Sequence, residues 1–393
     1  MRSSEGYVAR SLLARLDPAA RVVLVTRKNN VAELRANPEF RAKCPNVHLV
    51  GYDLPKWAAW WKMGARLYGP YAYLWQAIWP FVLRKRPWLV SRLSVVHTFN
   101  FHNDSIPSTA WILGRPTVWG PINHNEGIAE WRSETWPTVM SWRNRAKTLM
   151  RRLAWRLDPL LTLATRRTSV VLSAGSWVDR RLRLTSHASV RRRSQLGLDL
   201  DIVPQRNPRP AGGLRLVSGG RLDWIKGLDL ALLALAQLPD EATLTLIGDG
   251  PCRAFLADFA RAAGVANRVT FHPAVPRDEL LAMYGDYDVF LFTSAEAGGL
   301  SWVEALATGL PVIGFEGPSE LSDMACTLPG LHRVTDQHAR ANNVTALAEA
   351  ILAVSVAGSN PAEIAEAART RYGWDGFAGQ VLDVYATLGA APR

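Results

Sequence analysis

The chain has 393 residues, 48% of them hydrophobic and 20% charged, which excludes a disordered or fibrous protein and leaves room for two domains. Its net charge of +12 is unevenly placed: residues 1–210 hold 34 Lys and Arg against 13 Asp and Glu, whereas residues 211–393 hold 12 against 21. Its three cysteines lie far apart with no metal-type spacing, which favours a reducing compartment.

The first half of the chain alternates helical and β-rich patterns. EGYVARSLLARL predicts a helix that starts near Glu5. Strands are predicted at 20–27, 46–52, 93–99, 115–120 and 168–174. We assign 1–205 to an α/β N-terminal domain. The first 20 residues contain no apolar run of signal-peptide length, so we expect a cytoplasmic protein.

Two segments of this half, from Lys56 to Arg92 and from Ser141 to Arg156, combine aromatic and basic residues; the first holds six tryptophans. An apolar run at 67–83 contains two prolines and has about 17 residues, the lower limit for crossing a bilayer, so spanning is not expected. Aromatic rings and cations suit the surface of an anionic membrane. We therefore predict peripheral docking on the inner face of the cell membrane. The alternative is that the rings fill the core; a nucleic-acid partner is not expected, since no such motif occurs.

The second half is more regular. After a Pro- and Gly-rich linker at 203–213, apolar strands alternate with helices, which is typical of a parallel sheet covered on both faces. We assign 206–375 to a second α/β domain and 376–393 to a C-terminal helix that returns to the first domain. Ligands of such sheets bind outside the carboxyl ends of the strands, so the loops there are the candidate site.

The segment SAEAGGLSWVEALATGLPVIGF (294–315) has the pattern of an anion site. A strand ends at Ser294, glycines follow, and a helix begins near Ser301, where backbone N–H groups can bind phosphate. Glu296 and Glu304 could accept hydrogen bonds from sugar hydroxyls on either side of a diphosphate. The alternative is that Glu296 is a solvated loop residue and that Glu304 is a charge at a helix start, favoured by the helix dipole.

A second loop, SGGRLDWIKG (218–227), carries Arg221 and Lys226 at the end of a predicted strand. Two cations at this place suit a diphosphate whose charge grows as a glycosidic bond breaks. The alternative is that both cations belong to a solvated basic loop. This is less favoured, because residues 211–393 hold only 12 Lys and Arg and two of them lie together here.

Together with Gly248-Asp249-Gly250-Pro251, these loops resemble the retaining glycosyltransferases of family 4, which have the GT-B fold. The family's motifs correspond here to Gly220-Arg221-Leu222, Lys226-Gly227, Glu296 to Glu304, and Gly309-Leu310-Pro311-Val312, in the same order. The resemblance extends from about Val203 to Tyr385 and is looser in TVWGPINHNE (117–126). It implies two Rossmann-like domains that face each other across a cleft.

The resemblance implies a role for each matching residue. Arg221 and Lys226 would bind the donor diphosphate and stabilise it as leaving group, Glu296 would contact the donor sugar, and Glu304 the ribose. Further donor contacts would come from Gly220, Gly248, Gly299, Leu300 and Ser301. The donor would be a nucleoside diphosphate sugar. No cofactor and no metal would be required, because cationic side chains and a helix N-terminus supply the charge.

The sequence departs from the family at two places. Asn123-His124-Asn125 replaces consecutive glycines, so His124, like His97 and His102, is a candidate for contact with the donor or acceptor, with a structural role equally open. The strand at 20–27 matches the family's second strand. The first strand, central in the sheet, is missing, so we expect a gap and hypothesise an internal or misassigned start.

Two acidic triplets imitate a metal motif. For both Asp286-Tyr287-Asp288 and Asp199-Leu200-Asp201 we favour a capping or surface role.

The leading hypothesis is a glycosyltransferase (hexosyltransferase type) that acts on a lipid-linked or glycan acceptor in polysaccharide or glycolipid biosynthesis. One alternative is a sugar-nucleotide epimerase of similar fold, against which the Glu296–Glu304 spacing with Arg221 and Lys226 argues. The other is a catalytically degenerate relative that binds membranes or partners.

Overall fold

The computed structural model describes residues 4–17, 19–61, 67–99, 104–123, 127–184, 189–194, 196–199, 213–323 and 327–389. The chain forms two compact units. Unit 1 contains Met1–His124, Met150–Gln195 and Trp374–Arg393, and unit 2 contains Asn125–Leu149 and Leu196–Gly373. A single boundary near residue 205 does not describe this arrangement, because a segment of the first half belongs to unit 2. The predicted linker lies almost wholly outside the described residues.

Unit 1 is an α/β structure. Its strands are β1 (Val22–Thr26), β2 (Val47–Gly51), β3 (Val96–Thr98), β4 (Thr117–Ile122), β5 (Val170–Ser173) and β6 (Ser189–Arg192). Its helices are α1 (Ser4–Leu13), α2 (Lys28–Ala36), α3 (Pro38–Lys43), α4 (Lys56–Ala59), α5 (Tyr68–Arg84), α6 (Pro87–Val90), α8 (Pro159–Arg167), α9 (Ser176–Leu182) and α17 (Trp374–Thr387). Of helix α7 (Thr138–Leu157), residues 138–149 are assigned to unit 2 and residues 150–157 to unit 1.

The strands of unit 1 form two separate parallel sheets, β1-β2 and β3-β4-β5-β6. A cavity of about 2190 Å³ is lined by β1 and by β3, with Leu12 of α1 and Trp79 of α5 on its wall. Among the described residues, this cavity lies between the two sheets, where the sequence predicts a gap.

Unit 2 contains one six-stranded parallel sheet in the order β12-β11-β10-β7-β8-β9. Its strands are β7 (Arg215–Gly219), β8 (Thr243–Ile247), β9 (Val269–His272), β10 (Val289–Phe292), β11 (Val312–Phe315) and β12 (Leu331–Val334). Its helices are α10 (Leu228–Leu235), α11 (Arg253–Ala262), α12 (Arg277–Tyr284), α13 (Leu300–Ala307), α14 (Glu320–Asp323), α15 (Arg340–Ala357) and α16 (Pro361–Tyr372).

Alternate residues of the unit 2 strands enter two different hydrophobic clusters. Leu216 and Leu291 belong to the cluster that includes α10 and α15, whereas Val217 and Phe290 belong to the cluster that includes α13 and α16. Burial on both faces explains the almost continuous apolar strands, because a parallel sheet with helices on each side exposes neither face. β7 lies between β8 and β10, so the loops after these three strands meet at one edge.

The two aromatic and basic segments differ in how they are buried. Helix α5 buries Trp75 and Trp79 in the core of unit 1, whereas Trp57, Trp60 and Trp88 around it are exposed. Helix α7 has no buried residue among its 20. No single helix in the described part of the chain is long and apolar enough to cross a bilayer; α15 and α16 satisfy the criterion together but are bent by 116°.

Candidate active site

The centre of the candidate site is an ion pair between two loops of unit 2. Lys226 ends the loop after β7, and Glu296 lies in the loop after β10. Because β7 and β10 are neighbours in a parallel sheet, their carboxyl ends bring these loops together. The Lys226 Nζ atom lies 2.7 Å from Oε2 of Glu296, and the two side chains are 17% and 27% exposed. They are accessible to a ligand yet held in place.

Backbone contacts fix the two loops to each other. The Thr293 hydroxyl donates to the carbonyl of Lys226 over 2.8 Å, and the Ala295 N–H donates to the carbonyl of Ile225 over 2.9 Å. The Asp223 carboxylate accepts from the N–H of Trp224 at the start of the turn before Lys226. The main chains at Lys226 and near Glu296 are therefore fixed to each other, which places the two side chains within reach of one another.

Glycines permit close contact between the loops after β7 and β8. Gly248 has φ +139°, and a Cβ atom there would lie 2.0 Å from the carbonyl oxygen of Gly220. Gly220 has φ +126°, and its own Cβ position is 3.7 Å from Nζ of Lys226. A side chain at Gly248 would force the loops apart, so this glycine has a packing reason in addition to its proposed donor role.

Glu304 lies in α13 and is held by a residue that sequence reasoning missed. Arg277, the first residue of α12, donates from Nε to Oε1 of Glu304 over 2.6 Å, and the carboxylate is only 7% exposed. Burial raises the pKa of Glu304 above its ordinary value, although the adjacent guanidinium acts in the opposite direction. Arg277 follows a proline at a helix start, and nothing in its local pattern indicates that it reaches Glu304.

Helix α13 begins at Leu300, with Gly299 as its N-cap residue and no side-chain cap. The N–H groups of a first helical turn have no partner within the helix, so the amides of Gly299, Leu300 and Ser301 are available in principle to an anion. A Cβ atom at Gly299 would lie 2.7 Å from the Phe292 ring, which explains the need for glycine at this position.

The remaining predicted residues are distributed less compactly. The Arg221 side chain is 70% exposed, and its Nε lies 3.4 Å from Oδ2 of Asp223. This exposure leaves it room to reorient toward a ligand. His124 and His102 lie outside the described residues, as do Leu200 and Asp201. The structure thus brings together Gly220, Lys226, Gly248 and Glu296, whereas Glu304 in α13 is paired with Arg277.

His97 and Asp288 have structural contacts. Nδ1 of His97 lies 2.6 Å from the hydroxyl of Tyr385 and Nε2 lies 2.7 Å from the carbonyl oxygen of Gly120, and burial lowers the pKa of His97 to about 4. Asp288 accepts from the N–H of Arg215 at the amino ends of β10 and β7, the edge opposite to the candidate site. The predicted capping role fits this contact.

Sequence reasoning also missed a segment that we call the strap, residues 127–137 of unit 2. Its Trp131 is buried in the core of unit 2, and its Arg132 donates to the carbonyl of Thr293 over 2.8 Å, directly behind the candidate site. The only signal in the sequence is a tryptophan next to an arginine in a loop.

Comparison with known proteins shows what the later part of the chain and its fold are similar to. Residues 201–371 match the family model of glycosyl transferases group 1. Over 190 residues the chain is 31% identical to D-inositol 3-phosphate glycosyltransferase of Xylanimonas cellulosilytica, which covers 45% of this chain and 43% of that protein. Over 176 residues it is 31% identical to 2-deoxystreptamine glucosyltransferase of Streptomyces kanamyceticus, which covers 43% and 45%. The matched part thus spans less than half of these relatives.

Solved structures match over almost the full chain. Sucrose-phosphate synthase from Thermosynechococcus elongatus superposes with a TM-score of 0.65 at 18% identity and covers 98% of this chain and 93% of its own. Anabaena Alr3699/HepE in complex with UDP superposes with a TM-score of 0.61 at 15% identity, and the match covers 98% of this chain and 97% of that protein. These neighbours confirm the predicted α/β class, with two Rossmann-like units of the GT-B fold. The similarity to glycosyl transferases group 1 is confined to residues 201–371 of this chain.

Proposed function

We propose that this protein is a retaining, family 4 type glycosyltransferase that takes a sugar from a nucleoside diphosphate sugar and needs no metal. The observation that carries the proposal is the Lys226–Glu296 pair, 2.7 Å apart at the carboxyl ends of β7 and β10. A lysine neutralised by a carboxylate is ready to exchange part of that contact for a diphosphate, while the carboxylate turns to the hydroxyls of the sugar.

The proposed reaction breaks the bond between the anomeric carbon and the diphosphate and forms a new bond to an acceptor oxygen. Lys226 and Arg221 stabilise the charge that develops on the leaving diphosphate, aided by the first-turn amides at Gly299–Ser301. Glu296 orients the donor sugar, and Glu304 binds the ribose from a position set by Arg277. His124 remains our candidate for contact with the acceptor or donor.

We further propose that the acceptor is lipid-linked or membrane-associated, as in polysaccharide or glycolipid biosynthesis, and that the protein works at the inner face of the cell membrane. Helix α7 supports this, because it exposes Val139, Trp142, Leu149, Leu153 and Leu157 at helical spacing. Exposed cations of the same helix, Arg143 and Lys147 among them, suit anionic headgroups.

The segment from Lys56 to Arg92 exposes fewer aromatic rings than its composition indicates. Trp57 and Trp60 are each 79% exposed and Trp88 is 62% exposed, but Trp75 and Trp79 fill the core of unit 1. Peripheral binding through exposed rings and cations is the arrangement that fits these exposures.

The test is to incubate the purified protein with UDP-, GDP- and ADP-sugars and a membrane lipid extract, and to follow nucleoside diphosphate release. We expect release that requires the extract, persists in EDTA and gives a product with the anomeric configuration of the donor. Lys226→Met and Glu296→Gln should each reduce turnover on the order of 100-fold. Arg261→Met, which removes an arginine 70% exposed on α11, is the matched control and should leave turnover unchanged.

Each other outcome contradicts a defined part of the proposal. Formation of a C2-inverted sugar would indicate an epimerase, and nucleotide binding without turnover would indicate a degenerate relative. An inverted anomeric centre would disprove retention, and loss of release in EDTA would disprove metal independence.

A further inference from the structure

The strap belongs to unit 2 although it precedes β7 in the chain by a long interval. Its Trp131 is 6% exposed, and the indole Nε1 donates to Asp336 over 3.1 Å. Arg340 donates to the carbonyl of Trp131 and to Asp229 of α10, and Thr135 donates to the same Asp229 carboxylate. The strap is therefore an integral part of the fold of unit 2.

Arg132 is the strap residue that reaches the loops of the candidate site. Its guanidinium lies against two aromatic rings, 4.6 Å from the centroid of Trp131 and 4.8 Å from that of Phe315. Its Nη1 donates over 2.8 Å to the carbonyl oxygen of Thr293, immediately after the end of β10. The hydroxyl of the same Thr293 donates to the carbonyl of Lys226.

We propose that Arg132 is a positioning residue for the Lys226–Glu296 pair, acting through Thr293. This inference rests on the proposed function, since it assigns a task to a residue outside the donor contacts. Arg132 holds the carbonyl of Thr293, and Thr293 holds the main chain of Lys226. Glu296 follows three residues after Thr293 in the same loop. A displacement of Thr293 therefore moves both members of the ion pair.

The residue type fits this task. A guanidinium is flat and delocalised, so it can lie against aromatic rings and donate a hydrogen bond in its plane at the same time, which a compact ammonium does less well. Burial lowers the pKa of Arg132 to about 10, against the opposing effect of Asp336 and Asp229, so the side chain is still charged at neutral pH. A charge-assisted hydrogen bond to a carbonyl is stronger than a neutral one.

The test compares Arg132→Met with Arg132→Lys in the full-length protein, using the donor of the panel that the wild type turns over. Methionine keeps an apolar contact with the two rings but donates no hydrogen bond. We expect Arg132→Met to lower kcat on the order of 10- to 100-fold, because small displacements of reacting groups are costly. The Kd of the nucleoside diphosphate should rise by less than about fivefold, because the diphosphate keeps the proposed contacts with Arg221 and the first-turn amides when Lys226 is slightly displaced. Arg132→Lys should recover little of the rate.

A double-mutant cycle tests the route through Thr293. Thr293→Val removes the hydroxyl bond to Lys226 with little change of shape, and it should give the same loss of kcat with nearly unchanged Kd. If both residues act on one loop, the double variant loses little more than the worse single variant. Losses that multiply would overturn the proposed route. Thr293→Val also provides the test if Arg132→Met does not fold.

The outcomes separate this inference from the proposed function. If the wild type binds none of UDP, GDP and ADP, the proposed function fails. If the wild type is active and Arg132→Met retains kcat within about twofold, only the positioning role fails. If Arg132→Met lowers both kcat and the unfolding temperature while Thr293→Val stays fully active, Arg132 has a purely structural role.

Discussion

Arg277 of α12 and Glu304 of α13 form an ion pair with 2.6 Å between Nε and Oε1, in which the glutamate side chain is 7% exposed and the arginine side chain 30%. The pair joins two helices that flank the candidate site, and it presents one carboxylate in a fixed orientation. The ribose contact proposed for Glu304 thus depends on a residue 27 positions earlier in the chain.

Removal of this arginine should destabilise the protein in a pH-dependent way. Arg277→Leu leaves a buried carboxylate without this partner, at a cost of about 2 kcal/mol at pH 8. Burial already raises the pKa of Glu304, and loss of the guanidinium raises it further. A raised carboxyl pKa means that protonation favours the folded state, so the cost shrinks as the pH falls toward 5. Thermal unfolding at both pH values measures the effect, and Arg277→Leu combined with Glu304→Gln should recover most of the loss at pH 8. An equal cost at both pH values would contradict this account.

Gly248 should not tolerate a side chain. Gly248→Ala places a methyl group 2.0 Å from the Gly220 carbonyl at a φ of +139°, so the loops after β7 and β8 must separate. We expect a loss of stability on the order of 3 kcal/mol and weaker nucleotide binding. Gly379→Ala in α17 is the control, because nothing lies within 4 Å of its Cβ position and alanine is a better helix former. Comparable stability of the two variants would show that the loops are not in close contact.

Acid should weaken unit 1 through His97. Burial lowers the pKa of this imidazole from 6.5 to about 4. Between pH 6.5 and pH 4 the imidazole is therefore protonated in the unfolded chain but neutral in the folded one. The contribution of His97 to stability is complete above pH 6.5 and is lost as the pH falls toward 4, by about 3 kcal/mol in all. His97→Gln should flatten the pH profile of thermal unfolding over this interval. His48→Gln, at an exposed position of β2, should leave the profile as steep as in the wild type.

Helix α7 should carry the binding to anionic vesicles. Leu149 and Met150 are 59% and 70% exposed, and burial of such side chains in a bilayer interface contributes about 1 kcal/mol each or more. Leu149→Asp with Met150→Asp should therefore reduce co-sedimentation with phosphatidylglycerol-containing vesicles at least about tenfold. Salt should weaken the wild-type binding as well. Val356→Asp replaces an apolar residue that is 87% exposed on α15 and should bind like the wild type. Equal losses in both variants would remove the case for α7.

Much of unit 2 could be predicted from local pattern. The runs that became β7, β8, β10 and β11 are apolar and bounded by glycines, and the helices between them have their own start and stop residues. Since both faces of the sheet are buried, the strands carry a strong signal. The sequence pattern does not predict β12 of unit 2, which has only one buried residue. The same holds for β6 of unit 1, which is half-exposed and rich in arginine. A strand at an edge of a sheet has little reason to be continuously apolar.

The site divides in the same way. Lys226 and Glu296 could be placed together from sequence, because strand ends in a parallel sheet converge and the loop motifs name the residues. Arg277, Arg132 and Asp229 could not, because their partners are set by how helices and the strap lie against the sheet. Likewise, the segment from Lys56 to Arg92 has one composition, yet Trp79 is buried and Trp57 is exposed.

The amino-acid order alone specified the parallel α/β units and the pair of loops for which we propose phosphate binding, since hydrophobic periodicity and loop chemistry act over a few residues. Tertiary structure alone decided that the strap joins unit 2, that Arg132 lies behind Thr293, and that a cavity separates β1 from β3. These features depend on contacts between residues far apart in the chain, and burial there is shared among elements that no local pattern can assign.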